Sequence, residues 1–146
     1  MLVPGDGLFA IKDKKAVTLR RSVSADLSLS GLHLSNKYPN ILLGGGNFGV
    51  ALFTRKESTV PDNPGSWNFE GYIPGVPDQV WTFTENKNGT IWAGTQNGVV
   101  YRLTLAFDEK GNPDLKKTGI EKYGAEHGLK NGPGAVFSVK GVAFLS

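Results

Sequence analysis

The glycine-rich segment GGGNFG, residues 44–49, has the residue types and spacing of a phosphate-binding loop. It satisfies the pattern G-x-G-x-x-G, which in dinucleotide-binding proteins brings backbone amides at a helix N-terminus against phosphates. Such a site needs a helix directly after the glycines, whereas the next residues, VALFTRK, are typical of a β-strand. We therefore predict a turn between two strands, and we expect no cofactor.

Acidic residues and serines form no catalytic arrangement. Asp62 and Asp78 lie in proline-rich segments, Glu121 and Glu126 lie near a predicted strand, and no two carboxylates are spaced as a pair on one strand. No serine has the flanking glycines of a nucleophile elbow. We therefore predict no catalytic residue and a non-enzymatic function.

Metal chemistry is not expected either. The chain has no cysteine, which excludes a disulfide framework, a thiolate metal site and a cysteine nucleophile. Its two histidines, His33 and His127, are far apart in the sequence, so we predict no histidine-rich metal site.

The segment ENKNGTIW, residues 85–92, raises a glycosidase hypothesis. It is similar to the Ser-x-Asp-x-Gly-x-Thr-Trp hairpins of sialidase-type propellers. When Gly89 and Trp92 are aligned, however, Glu85 and Lys87 fall where serine and aspartate are required. The motif fails, and a glycosidase or lyase remains only an alternative whose catalytic residues would lie outside this chain.

Composition narrows the class of protein. The chain has 146 residues and a formal net charge of +3, but its basic residues are scattered in short clusters such as those at 12–15 and 116–117, so we expect no nucleic-acid partner. No apolar run approaches the roughly 18 residues of a membrane span, and MLVPGDGLFA is not a secretion signal. The 20 glycines and 8 prolines separate short apolar runs, a pattern typical of an all-β protein with many tight turns.

Aromatic side chains could stack on a sugar, but most are predicted to be core. Trp81, Phe83, Trp92 and Tyr101 lie on predicted strands, and interior packing is the simpler explanation for them. Trp67, in the loop-like segment NPGSWNFEG, is instead predicted to be exposed and available to a ligand.

The aromatic strands belong to a repeat. IWAGTQNGVVYRL, residues 91–103, aligns with ILLGGGNFGVALF, residues 41–53. Partial copies occur near both ends of the chain, and in the C-terminal copy Phe144 aligns with Trp92. The copies recur at about 40 to 50 residues, the period of propeller blades.

Each copy reads as four short strands. In the best copy the predicted strands are VWTFTE, TIWAGT, VVYRLTLAF and GIEKYG, and Asn88-Gly89 and Asn97-Gly98 join the first three. We therefore predict an all-β fold: a β-propeller of four-stranded antiparallel blades in one domain, residues 1–146, with blade boundaries near 31, 79 and 135. About three blades are present, too few for a ring. We expect either a fragment of a larger propeller or two copies that close a six-bladed ring as a homodimer.

The best copy resembles the two-component regulator propeller repeat. The matching residues are Asn86, Gly89, Ile91, Trp92, Ala93, Gly94, Thr95, Gly98 and Val99. The family more often has aspartate at the position of Asn86, and the copy at 41–53 departs further, with Leu42 for tryptophan and Gly45 for threonine. The resemblance implies a bacterial, periplasmic or extracytoplasmic sensor region that binds a ligand, for example an oligosaccharide.

The usual position of ligand sites in propellers suggests which residues would contact a ligand. Ligands of propellers bind at the central mouth, which here would be lined by the loops 30–38, 74–79 and 127–134 and by the turns that contain Asn47 and Asn97. The predicted ligand-binding residues are His33, Asp78, Gln79, Asn97, His127, Lys130 and Trp67. His33 has an alternative as a partly buried strand residue with one hydrogen bond. The rival functions are a propeller enzyme and a self-assembling structural module.

Overall fold

The computed structural model describes residues 2–3, 7–12, 14–21, 28–56, 66–139 and 142–145, with side chains described for 14–15, 28–55 and 67–136. Within these ranges the chain is all-β, with four antiparallel sheets. Sheet I contains β1 (Leu2–Val3), β2 (Gly7–Lys12) and β3 (Lys15–Arg21), and sheet IV contains β12 (Val136–Val139) and β13 (Val142–Leu145). The described part contains no α-helix and one 3₁₀ turn, Ala125–His127, and its sheets do not close into a ring.

Two complete sheets of four strands lie in the middle of the chain. Sheet II contains β4 (Leu29–Leu34), β5 (Ile41–Gly46), β6 (Gly49–Lys56) and β7 (Ser66–Tyr72). Sheet III contains β8 (Val80–Glu85), β9 (Ile91–Thr95), β10 (Val100–Thr104) and β11 (Gly119–Tyr123). In both, each strand pairs with the next one along the chain. The predicted four-stranded antiparallel unit is therefore confirmed.

The turns of sheet III follow from its Asn-Gly pairs. Gly89 has φ +87° and Gly98 has φ +81°, and each closes a turn in which a backbone hydrogen bond joins the two strands. A glycine in the left-handed region after a type I turn is a common three-residue hairpin connection, because other residues pay a steric cost there. The asparagines themselves keep negative φ.

The segment 44–49 is a strand, a turn and a second strand. β5 ends at Gly46, Asn47 and Phe48 form the turn, and β6 begins at Gly49. Gly49 has φ +92°, and a Cβ added there would lie 1.9 Å from the carbonyl oxygen of Val76. The glycine is thus required by backbone conformation and close packing, and no helix follows it to face a phosphate.

The third strand of sheet III is shorter than predicted. The sequence predicts a strand through Phe107, but β10 ends at Thr104. Beyond it the chain forms a long loop to Thr118, in which Phe107 makes a single bridge to Pro113 and Asp108 accepts hydrogen bonds from the turn between them. This closed local structure competes with continuation of the strand.

The main core lies between the facing surfaces of sheets II and III. Its buried residues are Ile41, Leu43, Val50, Leu52, Ile73, Val76, Val80, Ile91, Ala93, Tyr101, Leu103 and Leu105. A second cluster covers the other face of sheet II: Leu29, Leu42, Ala51, Phe53 and Trp67. Strands β5 and β6 are buried on both faces, which explains their continuous apolar runs.

The first strands of successive sheets lie side by side. β4 lies against β8, and β8 lies against β12. The approach is close, since a Cβ added to Gly31 would lie 2.4 Å from the carbonyl oxygen of Trp81. The first strands of sheets II and III also carry a bulge near the start, at Ser30 and at Trp81, where the register shifts against the second strand. The two sheets therefore share a bulge at the same place in their first strands, in addition to the repeated sequence.

Candidate functional site

One end of sheet III gathers several of the predicted contact residues. Asp78 and Gln79 precede β8, and Asn97 lies in the turn between β9 and β10. Asn97 Nδ2 donates to Asp78 Oδ1 over 2.8 Å, and the hydroxyl of Tyr101 donates to Asp78 Oδ2. We call this surface, formed by Asp78, Gln79, Trp81 and Asn97, the Asp78 edge.

The hydrogen bonds of Asp78 keep it ionised. Burial alone would raise the pKa of the Asp78 carboxyl, but hydrogen bonds from Tyr101 and Asn97 and the charge of Lys122 together hold that pKa below its ordinary value. Burial and the same carboxylate raise the pKa of Tyr101, which remains a neutral donor. Both Asp78 oxygens are occupied, so Asp78 and Asn97 fasten the loop before β8 to the turn after β9.

Trp81 is the exposed aromatic residue of this edge. Its side chain is 39 % exposed, whereas the preceding Val80 is fully buried. The prediction that Trp81 is a core residue is wrong, because the bulge at the start of β8 interrupts the alternation of faces and re-aims the side chain. Tyr101 is buried, and Phe83 and Trp92 are partly buried. The sequence carries no signal for this bulge.

Gln79 and Lys130 flank the Asp78 edge differently. The backbone oxygen of Gln79 accepts a hydrogen bond from Gln96 N at 3.1 Å. Lys130 places its backbone against the neighbouring turn, since a Cβ added to Gly98 would lie 2.6 Å from the Lys130 carbonyl oxygen. The Lys130 side chain is exposed. Four of the predicted residues thus lie around one end of sheet III.

His33 lies at the opposite end of β8, in a network around Glu85. The Glu85 side chain is 0 % exposed, and His33 Nε2 lies 2.9 Å from its Oε2. Glu85 also accepts from Ser35 Oγ at 3.0 Å and from the backbone amides of Asn36 and Lys37 at 2.7 and 3.3 Å. We call these five residues the Glu85 network. It ties the end of the first strand of sheet II to the end of the first strand of sheet III.

The prediction that residues 30–38 form a loop at the mouth is wrong. Leu29–Leu34 is the strand β4, and His33 lies within it, near its far end. The alternative that the sequence left open, a partly buried histidine on a strand with one hydrogen bond, is confirmed. The strand forms because β4 pairs with β5 along its length and the Glu85 carboxylate accommodates the polar His33.

Glu85 is held as a carboxylate by these donors. Burial raises the pKa of Glu85, but the hydrogen bonds from Asn36, His33, Lys37 and Ser35 outweigh that effect and hold the pKa below its ordinary value. A buried charge without partners is costly, so the hydrogen bonds to Glu85 are important for the fold. The sequence analysis did not identify Glu85 as such a residue. Only the spatial convergence of the loop after β4 and the end of β8 shows it.

Trp67 is not available to a ligand. It lies on strand β7 and is 5 % exposed, packed in the cluster on the outer face of sheet II. The prediction that Trp67 is exposed is therefore wrong. The Pro-Gly pair before it predicts a loop, but β7 pairs with β6, where Trp67 lies opposite Arg55, and burial of the indole stabilises that position.

His127 lies beyond the last strand of sheet III. It belongs to the 3₁₀ turn, its Nδ1 accepts from Gly124 N at 3.3 Å, and its ring packs edge-on against Tyr123 at a centroid distance of 5.2 Å. Tyr123 in turn lies 5.6 Å from Trp92, ring centre to ring centre. Among the described residues, no hydrogen bond, ion pair or ring contact joins His127 to the Asp78 edge. In the described ranges no three His, Cys, Asp or Glu side chains are placed to hold a metal ion.

The chemical groups of the Asp78 edge are suited to non-covalent contacts with a ligand. Its carboxylate has both oxygens engaged within the protein, its amides can donate or accept, and its tryptophan offers an apolar face. No helix in the described part of the chain is long and apolar enough to cross a bilayer. Comparison of the chain with family models, with curated proteins and with solved structures finds no match.

Proposed function

We propose that the chain is a propeller-type module that recognises a small ligand at the Asp78 edge without chemical turnover. In this proposal it resembles the extracytoplasmic sensor region of two-component regulators, and further blades or a second copy complete the ring. The repeated four-stranded sheets, the adjacent first strands and the matching bulges at Ser30 and Trp81 support the propeller arrangement.

The observation that carries the proposal is the exposure of Trp81. A single exposed apolar side chain is ordinary in proteins. Trp81, however, is a tryptophan on a first strand that has neighbouring strands on both sides, and a bulge turns it out of the core. Gln79 lies two residues before it in the chain, and a hydrogen bond between Asn97 and Asp78 fastens the loop that leads into the strand. A rigid aromatic face next to fixed polar groups is typical of ligand sites.

The ligand class that this edge fits best is an oligosaccharide or a similar neutral compound with apolar faces and several hydroxyl groups. The indole face matches the apolar face of a sugar ring, and the Gln79 amide can both donate to and accept from hydroxyls. The ionised Asp78 disfavours anionic ligands at this edge.

A binding experiment with a substitution at Trp81 tests the proposal. We expect isothermal titration against a panel of neutral oligosaccharides to show saturable binding, and we expect Trp81→Ala to weaken it by about tenfold or more, in line with loss of a central aromatic anchor. Leu34→Ala is the control, because it removes another exposed apolar side chain at the opposite end of the sheets. Thermal unfolding of both variants checks that the fold is retained.

The outcomes separate the three functions. Saturable binding without product supports recognition. Release of cleaved product in the same samples would identify an enzyme and contradict the proposal. Absence of binding to every oligosaccharide, with self-association detected by light scattering, would favour the assembly module.

A further inference from the structure

A polar groove of about 350 Å³ lies between sheet II and the loop that follows β10. It is at the end of the sheets where the Glu85 network lies, because Asn40 directly precedes β5 and Thr54 pairs with Ile41 at the start of that strand. The Asp78 edge is at the other end of β8. The lining residues that matter below are Asn40, Thr54, Asn68, Glu70, Gly111 and Asn112.

The first wall of the groove is a polar patch on the outer strands of sheet II. Thr54 and Asn68 face each other across β6 and β7. Glu70 follows at a bulge in β7, and its carboxylate lies on the same side as Thr54 because the two side chains are hydrogen-bonded. The Thr54 hydroxyl donates a hydrogen bond to Glu70 Oε1. Thr54 therefore has only lone pairs to offer, and no hydrogen bond within the described residues involves Glu70 Oε2.

The second wall is a turn held rigid by Asp108. Asp108 Oδ1 accepts from the backbone amides of Lys110 and Asn112 at 2.9 and 2.8 Å, and Oδ2 accepts from Asn112 Nδ2 at 3.0 Å. These bonds assign the orientation of the Asn112 amide, so that Oδ1 is the atom left to accept a hydrogen bond. Gly111 beside it leaves open space, since a Cβ added there would meet no atom within 4 Å.

The described lining presents several hydrogen-bond acceptors and one carboxylate, that of Glu70, whereas the carboxylate of Asp108 is engaged within the turn. Asn40 and Asn68 carry amides that can turn either way, and none of the described lining residues is aromatic. Two cations of the described residues lie at the groove. Arg55 belongs to its lining, but it pairs in register with Trp67, which is buried on the opposite face of sheet II, so the Arg55 side chain leaves the strand on that face. Lys110 is an exposed side chain on the turn itself.

We propose that this groove is a second binding site, selective for a primary ammonium group. An ammonium donates three hydrogen bonds and accepts none, which matches Glu70 Oε2 and the Asn112 and Asn68 side-chain oxygens. Charge-assisted hydrogen bonds to the carboxylate are about twice as strong as neutral ones. An anion is repelled by Glu70, and among the described lining residues a sugar finds no aromatic surface on which to stack. The ammonium can come from a free aliphatic diamine or from a lysine side chain.

Nuclear magnetic resonance titration of the whole chain tests this proposal. With 1,4-diaminobutane we expect saturable shifts of the side-chain amides of Asn68 and Asn112 and of the backbone amide of Gly111. With 1,4-butanediol, which has the same length and no charge, we expect no saturable shift. Glu70→Gln should weaken diamine binding by about tenfold, the effect of losing one charged partner.

A matched variant isolates the groove from the general charge of the loop. Glu109→Gln removes the same charge from the turn next to the groove but from a residue outside its lining, and it should leave diamine binding unchanged. Asn68→Ala is a second groove variant and should also weaken binding. Nα-acetyl-lysinamide distinguishes the source, since binding as tight as that of the diamine identifies a lysine side chain and much weaker binding identifies a free amine.

Three results would each overturn the proposal: butanediol binding as tightly as the diamine, equal diamine affinity in wild type and Glu70→Gln, or no saturable shift at the groove residues. None of these concerns the Asp78 edge. Failure of oligosaccharide binding at Trp81 and failure of ammonium binding at Glu70 are therefore separate results.

Discussion

Replacement of Glu85 with alanine is expected to lower the free energy of unfolding by about 3–5 kcal/mol. The carboxylate has no exposed surface and accepts hydrogen bonds from His33, Ser35, Asn36 and Lys37. Its removal leaves several donors without an acceptor in a buried place, and loss of one partner of a buried charged network typically costs this much. Because a domain of this size is stable by about 5–15 kcal/mol, urea unfolding followed by circular dichroism should resolve the change.

Glu121→Ala is the matched control for this prediction. Glu121 also accepts two hydrogen bonds, from Arg102 Nη1 at 2.8 Å and Tyr123 Oη at 2.9 Å, but its side chain is 55 % exposed. Solvent replaces such bonds, so we expect a much smaller loss of stability than for Glu85→Ala. Equal losses in the two variants would show that the Glu85 network does not hold sheets II and III together.

The contribution of Glu85 should also depend on pH in a defined direction. Its pKa is lower in the folded protein than the ordinary value of 4.5, so its stabilisation is fully present above about pH 4.5 and is lost as the pH falls through the folded-state pKa. The pKa values of Asp78 and Asp108 are lowered too, so the wild-type curve alone does not isolate Glu85. The difference in unfolding free energy between wild type and Glu85→Gln should shrink below pH 4.5. A constant difference down to pH 3 would contradict the assignment.

Replacement of Trp67 with alanine is the second change with a large expected effect, a loss of about 3–5 kcal/mol. The indole is 5 % exposed and packs with Leu29, Leu42 and Phe53 on the outer face of sheet II. Truncation removes the largest side chain of that cluster and leaves a cavity that a rigid strand pair cannot fill. Chemical unfolding measures the loss, and the emission wavelength of Trp67 in single-tryptophan variants reports its burial directly.

Trp81→Ala provides the comparison within the same residue type. Trp81 is 39 % exposed on a bulge, so its truncation removes less buried area and should cost about 1 kcal/mol or less. The order of the two losses is the critical result. If Trp81→Ala destabilised the chain more than Trp67→Ala, the positions of both tryptophans in the fold would be wrong, and Trp81 would lose its place in the proposed ligand site.

The two tryptophans also show where reasoning from the sequence succeeds and where it fails. The strand that contains Trp81 is predicted with its bounds, Val80 to Glu85, because alternating apolar residues between turn residues identify it. The exposure of Trp81 is not predictable in this way, since one shift of register reverses the face of a side chain. The prediction for Trp67 is wrong for a different reason. The Pro-Gly pair before it predicts a loop, and only pairing with β6 makes the segment a strand.

The candidate site shows the same division. Asp78, Gln79 and Asn97 are brought to one end of sheet III, as their positions next to strand ends predict. From the sequence, Asp78 and Asn97 are predicted to contact a ligand, whereas in the fold their side chains are hydrogen-bonded to each other. Glu85, which marks a strand end in the sequence, proves to be the acceptor of a network whose other members lie some fifty positions earlier.

The local structure of the chain follows from short-range features of its sequence. The Asn-Gly pairs require turns at Gly89 and Gly98, and the periodic apolar residues between such turns produce four-stranded antiparallel sheets. Which side chains face solvent and which contact each other depends instead on the packing of the sheets. Burial of Trp67, exposure of Trp81, ionisation of the buried Glu85 and the polar groove beside Asn112 all depend on how one sheet lies against the next. Short-range conformational preferences contain no information about contacts between residues so far apart in the chain.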